Sequence, residues 1–323
     1  MSHLSQHRWI RLSHPWHLAV LLFFIFFTAV GWADTIYKYK DGNGVWHFTD
    51  EPPETKASVD TYEGVTTTEP KKRVFIERIK KQGGTTLKIT NRYYGPVEVE
   101  IYFTEFKNMV SDPSLPKRFV VQARSELNAV RLHVDDPKRA WRYYFRSRFR
   151  LGPPDAQHLP PGPYRLPFKA GSAFKVSQAF NGKFSHNSSH SRYAVDFAMP
   201  IGTPIVCVRD GVVVDMEQDN IWAGQDKAYY WSRANRIRIL HEDGSMALYA
   251  HIKRGSSQVS LGEQVSVGQV LAESGNTGFS RGPHLHFVIQ KNEDMQTVSL
   301  PFTFMGPRGI GITPVKGQVL KAF

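Results

Sequence analysis

Between Thr85 and Phe149 the chain is built from short runs, "TLKITN", "PVEVEIYF", "KRFVVQ", "LNAVRLHV" and "AWRYYFRSRF", in which apolar and polar residues alternate and turn-forming residues stand between the runs. Side chains of a strand point alternately to its two faces, so this pattern fits half-buried strands; a helix would repeat its apolar positions every three or four residues. Residues 165–300 continue it in "TPIVCV", "GVVVDM", "NRIRIL", "SMALYAHI", "EQVSVGQVLAES" and "HLHFVIQ", with "HEDG" and "LGE" as turns. The chain is therefore expected to be mainly β, with a β-sandwich-like domain over 85–150 and an antiparallel β domain over 165–300.

Between them "LGPPDAQHLPPGPYRLPF", residues 151–168, carries six prolines in eighteen residues. Proline fixes φ and lacks an N–H, so regular structure is not expected and 151–164 reads as a linker. Upstream, "TIYKYKDGNGVWHFTDEPP" has two strand-like runs around a D-G-N-G turn and reads as a small β-hairpin module over 34–60, with His47 structural within it. The polar stretch 61–84, ending in "KKQGG", reads as a connector, and 301–323 as a C-terminal tail.

The first 33 residues call for a different reading. Arg8 and Arg11 precede "LAVLLFFIFFTAV", residues 18–30, and then the small-x-small pair Gly31 and Ala33. This is the pattern of an export signal peptide cleaved after Ala33. The apolar run falls short of the about 20 residues that a spanning helix needs, so membrane attachment is expected only if the segment stays uncleaved. Cys207 is the single cysteine, so no intrachain disulfide forms, and its apolar setting marks a buried, inert thiol.

Without residues 1–33, 39 basic side chains face 29 acidic ones. Such a chain favours polyanions, and for an exported protein these are cell-wall polymers or anionic lipid headgroups; nucleic acid is not an expected partner. "KRAWRYYFRSRFR", residues 138–150, mixes arginines and aromatics as some single-strand nucleic-acid surfaces do. Its period of two fits better a strand with Trp141, Tyr143, Phe145 and Phe149 on its packed side.

Six of the thirteen histidines fall within 165–300. In "GPHLHF" His284 and His286 share one strand face, while Leu285 and Phe287 share the other. "SRYAVDFAMP" sets Asp196 inside an apolar strand, on a face with the small residues Ala194 and Ala198. A carboxylate there costs several kcal/mol to bury unless a partner or a metal compensates it. Upstream "NGKFSHNSSH" offers His186 and His190, and "ALYAHI" offers His251. Histidines with one carboxylate are the donors of a hydrolytic zinc site, in which three protein ligands leave a position for water. No cysteine pair competes, and no H-E-x-x-H helix is present.

"SRYAVDFAMPIGTPI", "ALYAHI" and "GNTGFSRGPHLHF" resemble the successive motifs of the lysostaphin/LytM-type zinc metalloendopeptidases, in the same order, over residues 165–300. The resemblance implies an antiparallel β fold with one zinc ion in a groove, and cleavage of peptide cross-links in peptidoglycan. It implies Asp196 and His286 as metal ligands and His251 and His284 as catalytic histidines beside the attacking water. Many members carry the first ligand four residues before the aspartate, where this chain has Arg192. His186 resembles a longer-loop variant of that ligand, with His190 as the rival. The resemblance also implies peptidoglycan and other wall-biosynthesis or hydrolase proteins as partners. Non-catalytic relatives that activate another hydrolase supply the alternative reading, a wall-binding adaptor. "IYKYKDGNGVWHFTDEPP" resembles a small module of unknown function on secreted and periplasmic proteins of Gram-negative bacteria, which implies a periplasmic or secreted location.

Overall fold

The computed structural model describes the backbone of Thr35–Lys40, Trp46–Thr49 and Asp60–Glu63, and residues 73–323 in full. The expected signal segment lies outside the described residues, as does the side chain of His47. Strands β1 (Thr35–Lys40) and β2 (Trp46–Thr49) pair as the expected hairpin. A third strand, β3 (Asp60–Glu63), pairs antiparallel with the other side of β1, so the module is a three-stranded sheet reaching past residue 60.

Residues 73–151 form two facing sheets. Strands β4 (Val74–Lys81), β5 (Gly84–Asn91), β6 (Val97–Lys107), β7 (Met109–Asp112), β8 (Lys117–Val121), β9 (Glu126–Val134) and β10 (Arg142–Leu151) are arranged β4-β5-β9-β7 and β10-β6-β8. Leu87, Ile89, Val97, Val99, Ile101, Val130 and Leu132 form the aliphatic core between them. The part of the expected connector from residue 73 to 84 is therefore structured, with β4 paired to β5 along its whole length. Its charges obscured it: in "VFIERIKK" only Val74 is buried, and Glu77, Arg78, Lys80 and Lys81 are exposed. On β10, Tyr143, Phe145 and Phe149 pack against the core as the alternation implied. Trp141 does not, since it precedes the strand and is 56% exposed.

No strand or helix occupies 152–172, in keeping with the prolines. The segment is nonetheless held down: Tyr164 bridges to Phe304 and Phe168 to Ile205, with both rings buried.

The C-terminal β domain contains β11 (Ala173–Gln178), β12 (Val195–Ala198), β13 (Pro204–Val206), β14 (Gly211–Glu217), β15 (Ala223–Gly224), a four-residue helix α1 (Lys227–Tyr230), β16 (Arg236–Leu240), β17 (Met246–Ala250), β18 (Gln264–Val265), β19 (Val270–Glu273), β20 (Gly278–Phe279), β21 (His284–Glu293) and β22 (Gln296–Leu300), then β23 (Phe304–Met305), β24 (Gly311–Ile312) and β25 (Val319–Lys321). The main sheet runs β18-β14-β16-β17-β21-β12-β11-β25, with β22 on β21, and every pairing in it is antiparallel. The short pair β15–β20 is parallel, an exception to the antiparallel expectation. One face of the sheet buries Phe197, Ile237, Ile239, Tyr249, Leu285 and Phe287. The expected tail, 301–323, belongs to this core: Phe302, Phe304, Leu320 and Ala322 are buried, and β25 extends the sheet beside β11. Apolar positions there are separated by Gly and Pro, so no run is long enough to read as a strand.

The sandwich packs on part of the opposite face. Asn292 Nδ2 donates to Glu98 Oε2 at 2.8 Å and to the Gly152 carbonyl at 3.2 Å. Gly95 lies against Val214 and Leu240, where even an added Cβ would sit 3.0 Å from Val214.

Candidate metal centre and groove

Strand register builds the first part of the site. Asp196 on β12 pairs directly with His286 on β21, and His286 pairs with Ala250 on β17; Ala198 pairs with His284. These side chains project from the face opposite Leu285, Phe287 and Tyr249, into a groove of about 1070 Å³ whose lining includes Gln178, Phe184, Trp231, His251, Phe279, Arg281 and Lys316. The small side chains of Ala198 and Ala250 leave open space over its floor.

The loop between β11 and β12 adds His186. It is stitched to itself and to the sheet: the His186 N–H donates to the Gly182 carbonyl, Ser191 Oγ to the Ser185 carbonyl, and Gln290 Nε2 to the His190 carbonyl. His186 is fully buried, and its Nε2 stands 3.1 Å from Asp196 Oδ1, while His286 Nδ1 stands 2.9 Å from the same oxygen. Ligand atoms of His186, Asp196 and His286 lie within 4.8 Å of one another, the only such group of three among the described residues. His190 is not part of it; its ring sits against Trp231 and its nitrogens face Ser188 Oγ.

Proton positions in this cluster follow from its neighbours. His186 Nδ1 lies 2.9 Å from the Ala179 carbonyl, which can only accept, so Nδ1 carries a proton. In the neutral ring Nε2 then turns a lone pair toward a carboxylate oxygen. Two acceptors facing each other at hydrogen-bond distance call for a cation between them, either a second proton on the imidazole or a metal ion. Burial alone would raise the Asp196 pKa, but its hydrogen bonds with His186 and His286 hold it well below the usual carboxylate range. Two imidazole nitrogens and a carboxylate oxygen are donors that suit zinc. Gln178 Nε2 donates to Asp196 Oδ2 at 2.9 Å, fixing the carboxylate from behind as an outer partner of a metal ligand does.

His251 and His284 flank the cluster. Their ring centroids are 4.4 Å apart, and His284 Nε2 is 4.0 Å from Asp196 Oδ1. His251 Nδ1 donates to the Thr277 carbonyl and His284 Nδ1 to the Gly282 carbonyl, so both rings keep Nε2 free of a proton when neutral. Burial, then the neighbouring His284 and His286, push His251 down to about 3. His251 has a φ of +64° just beyond the end of β17. A left-handed non-glycine residue costs of order 1 kcal/mol or more, and such strain clusters at functional sites.

The motif "GNTGF" explains itself here. An added Cβ at Gly275 would lie 2.5 Å from the Lys253 nitrogen, and one at Gly278, where φ is +77°, would lie 2.6 Å from Ala234 Cα. Only glycines let this segment run close enough for the Thr277 carbonyl to receive His251.

Of the residues singled out from the sequence, Asp196, His251, His284 and His286 line one groove, His186 is buried beside Asp196 beneath it, and His190 lines the groove away from the cluster. Cys207 is elsewhere, buried with its pKa pushed up to about 11 by desolvation. The sequence reading missed Gln178, Thr277 and the segment Pro314–Lys316, which lines the groove. His158, in the proline-rich segment, is also elsewhere, its Nε2 3.2 Å from the Tyr164 hydroxyl.

A histidine–carboxylate cluster on the floor of an open groove, carried by an antiparallel sheet, defines a metallopeptidase-type β domain. Comparison with known families makes this specific: residues 190–298 match the model of peptidase family M23, so the chain carries an M23 metallopeptidase domain. The match starts at His190, leaving His186 just outside. Residues 23–74 match a domain of unknown function, DUF4124. Residues of this chain are 32% identical over 123 positions to the glycyl-glycine endopeptidase ALE-1 of Staphylococcus capitis, covering 38% of this chain and 31% of that protein. They are 35% identical over 125 positions to the peptidoglycan DD-endopeptidase ShyA of Vibrio cholerae, covering 38% and 26%. The chain thus spans about a third or less of the length of these curated relatives. The solved catalytic domain of the antimicrobial peptidase lysostaphin from Staphylococcus simulans is 28% identical, covering 38% of this chain and 81% of that one, with a TM-score of 0.28.

Proposed function

We propose that this protein is an exported, zinc-dependent endopeptidase that hydrolyses peptide cross-links of peptidoglycan. The observation that carries the reading is the buried Asp196 oxygen faced at 2.9 and 3.1 Å by nitrogens of His286 and His186, on the floor of an open groove of about 1070 Å³. His186, Asp196 and His286 would hold one zinc ion per chain, His186 through Nε2 and His286 through Nδ1. Bound there, zinc supplies polarisation of the scissile carbonyl and a lowered pKa for the attacking water.

The remaining residues do the positioning and the proton work. Gln178 keeps the Asp196 carboxylate aimed at the two imidazoles. His251 and His284, locked by their Nδ1–H bonds to backbone carbonyls, offer Nε2 as an acceptor for the water proton and can return it to the leaving amine. A ring that has taken the water proton can also donate its Nε2–H to the negative charge that develops on the carbonyl oxygen, a role that falls to His284, since burial keeps His251 neutral.

The relatives and the N-terminal sequence pattern support a class of substrate and a location. ShyA is a peptidoglycan DD-endopeptidase and ALE-1 a glycyl-glycine endopeptidase, so peptide bonds of the wall are the class of target. Arg8, Arg11 and the apolar run 18–30 support export to the periplasm or medium. Among the described residues no helix is long and apolar enough to cross a membrane. A non-catalytic adaptor would have no need of this donor set, and no observation favours that reading.

The test is to incubate purified residues 34–323 with isolated sacculi and identify released fragments by mass spectrometry, with chelation and zinc add-back. Zinc-dependent release of newly cleaved cross-linked peptides is expected. Bound zinc, one per chain, with no release would overturn the enzymatic reading.

A further inference from the structure

One wall of the groove is a continuous ladder of cations and rings. The Arg281 guanidinium lies 3.8 Å from the centre of the Phe184 ring. Phe184 stacks on Phe279 at 5.1 Å and 17° between planes, and Phe279 meets Trp231 at 5.9 Å. Lys227 Nζ closes the ladder 4.7 Å above Trp231. Phe184, Trp231, Phe279 and Arg281 all line the groove.

The charges of the lining are one-sided. Lys183, Arg236, Arg281 and Lys316 face one carboxylate, Asp196, which is already engaged by histidines and Gln178. Arg236 is answered by Asp215, its Nε 3.0 Å from Oδ2. Among the described residues Lys183, Arg281 and Lys316 have no ion pair. Positive charge in a cleft with apolar walls is felt more strongly than on an open surface.

Resting on the reading of the groove as a peptidase cleft, we propose that Arg281, held over the Phe184 ring, is a carboxylate-binding subsite that selects anionic cross-linked peptides over neutral ones such as oligoglycine. Contact with the ring restricts the side chain, and among the described residues no ion pair engages its guanidinium. The planar fork can then grip a carboxylate through two N–H groups with little further ordering. Reach agrees with this role. Arg281 is three residues from His284, so the two Cα atoms are at most about 11 Å apart, and Phe184 is two residues from His186. A carboxylate borne by a residue close to the scissile bond therefore falls within range. Lys183 and Lys316 add attraction without fixing its position.

The test separates binding from turnover. A cross-linked muropeptide dimer and its carboxyl-amidated form are titrated calorimetrically into the chelated full chain, and the same pair, with pentaglycine, is offered to the zinc-loaded protein. The acid is expected to bind about tenfold tighter than the amide, the scale of one charge-assisted contact. Arg281→Gln erases that difference and Arg281→Lys retains part of it, each with unchanged thermal stability because Arg281 is exposed. Equal binding of acid and amide, failure of either to bind, or a preference that survives Arg281→Gln overturns the subsite. Turnover without an acid preference removes the subsite and leaves the endopeptidase standing. Acid preference without turnover keeps the subsite and removes the endopeptidase.

Discussion

Asn91 in the sandwich and Asp196 in the peptidase sheet are both polar residues buried in or beside strands, at 1% and 6% exposure, and their surroundings could hardly differ more. Asn91 Nδ2 donates to the carbonyls of Gly95, Val121 and Gln122, and its Oδ1 accepts the Tyr93 N–H at 2.8 Å. Every one of its partners is backbone, and donors meet acceptors throughout. Asp196 instead faces a histidine whose own proton is committed elsewhere, so acceptor meets acceptor. The first arrangement is complete within the fold. The second becomes complete only with a cation, which is how a structural polar residue and a candidate ligand can be told apart.

The largest effect that sharpens this contrast is on hydrolysis. His286→Ala and Asp196→Asn are expected to lose both zinc and cleavage, by at least about 10³-fold or about 4 kcal/mol of barrier. His284→Ala should retain zinc and lose cleavage by about 10²- to 10⁴-fold. Metal content by atomic emission beside the sacculus assay checks both, and full activity in His286→Ala would break the assignment.

The mirror pair comes next. Asn91→Asp sets a carboxylate against three carbonyls and should destabilise the chain by at least about 3 kcal/mol in urea unfolding. Asp196→Asn makes the reverse swap and should leave the chelated protein as stable as the parent or more so. The parent should gain about 2.7 kcal/mol at a zinc concentration one hundred times its Kd, and the Asp196→Asn variant none. If the two swaps act alike, the distinction fails.

His241 offers a third way to probe burial without an answering partner. It is 2% exposed, its Nδ1 donates to the Asp210 carbonyl, and its Nε2 has no hydrogen-bond partner. Burial pushes its pKa down to about 4. On acidification the unfolded chain takes the proton near the ordinary pKa of 6.5 while the folded chain refuses it. Stability is therefore full above pH about 6.5 and falls until about 4, by roughly 3 kcal/mol. Denaturant midpoints across that range should fall less steeply in His241→Asn by about that amount; an unchanged slope would mean that the imidazole is not the source.

The smallest effect belongs to the sandwich surface. Lys88 pairs with Glu77 and Glu126 at 3.1 Å each, both carboxylates well exposed. Exposed pairs of this kind are screened and flexible, so Lys88→Ala should not change the melting temperature measurably.

What could be read from the sequence follows the range of the interactions involved. Asp196 declared itself as a charge within an apolar strand, and His284 and His286 through a period of two, both properties of neighbouring residues. That Asp196 meets His286 across β12 and β21 is a matter of register between segments ninety residues apart, and no local pattern encodes it. His186 was nameable only as one of two histidines in a loop; the Ala179 carbonyl distinguishes it from His190. Gln178 and Thr277 act through a single side-chain or carbonyl contact and carry no signal of their own. β4 was hidden because one thinly packed face leaves half of its residues charged, and β25 because three residues are too few to show alternation.

β25 has a consequence for timing. Val319–Lys321 pairs with Ala173–Lys175, and Pro314–Lys316 just before it lines the groove. A chain synthesised in N-to-C order presents all five site residues before this segment arrives. Until it does, β11 has an unpaired edge and Phe174 lacks Leu320 across from it. The groove is thus completed only when the last strand of the sheet has paired, after the residues on its floor are already in the chain.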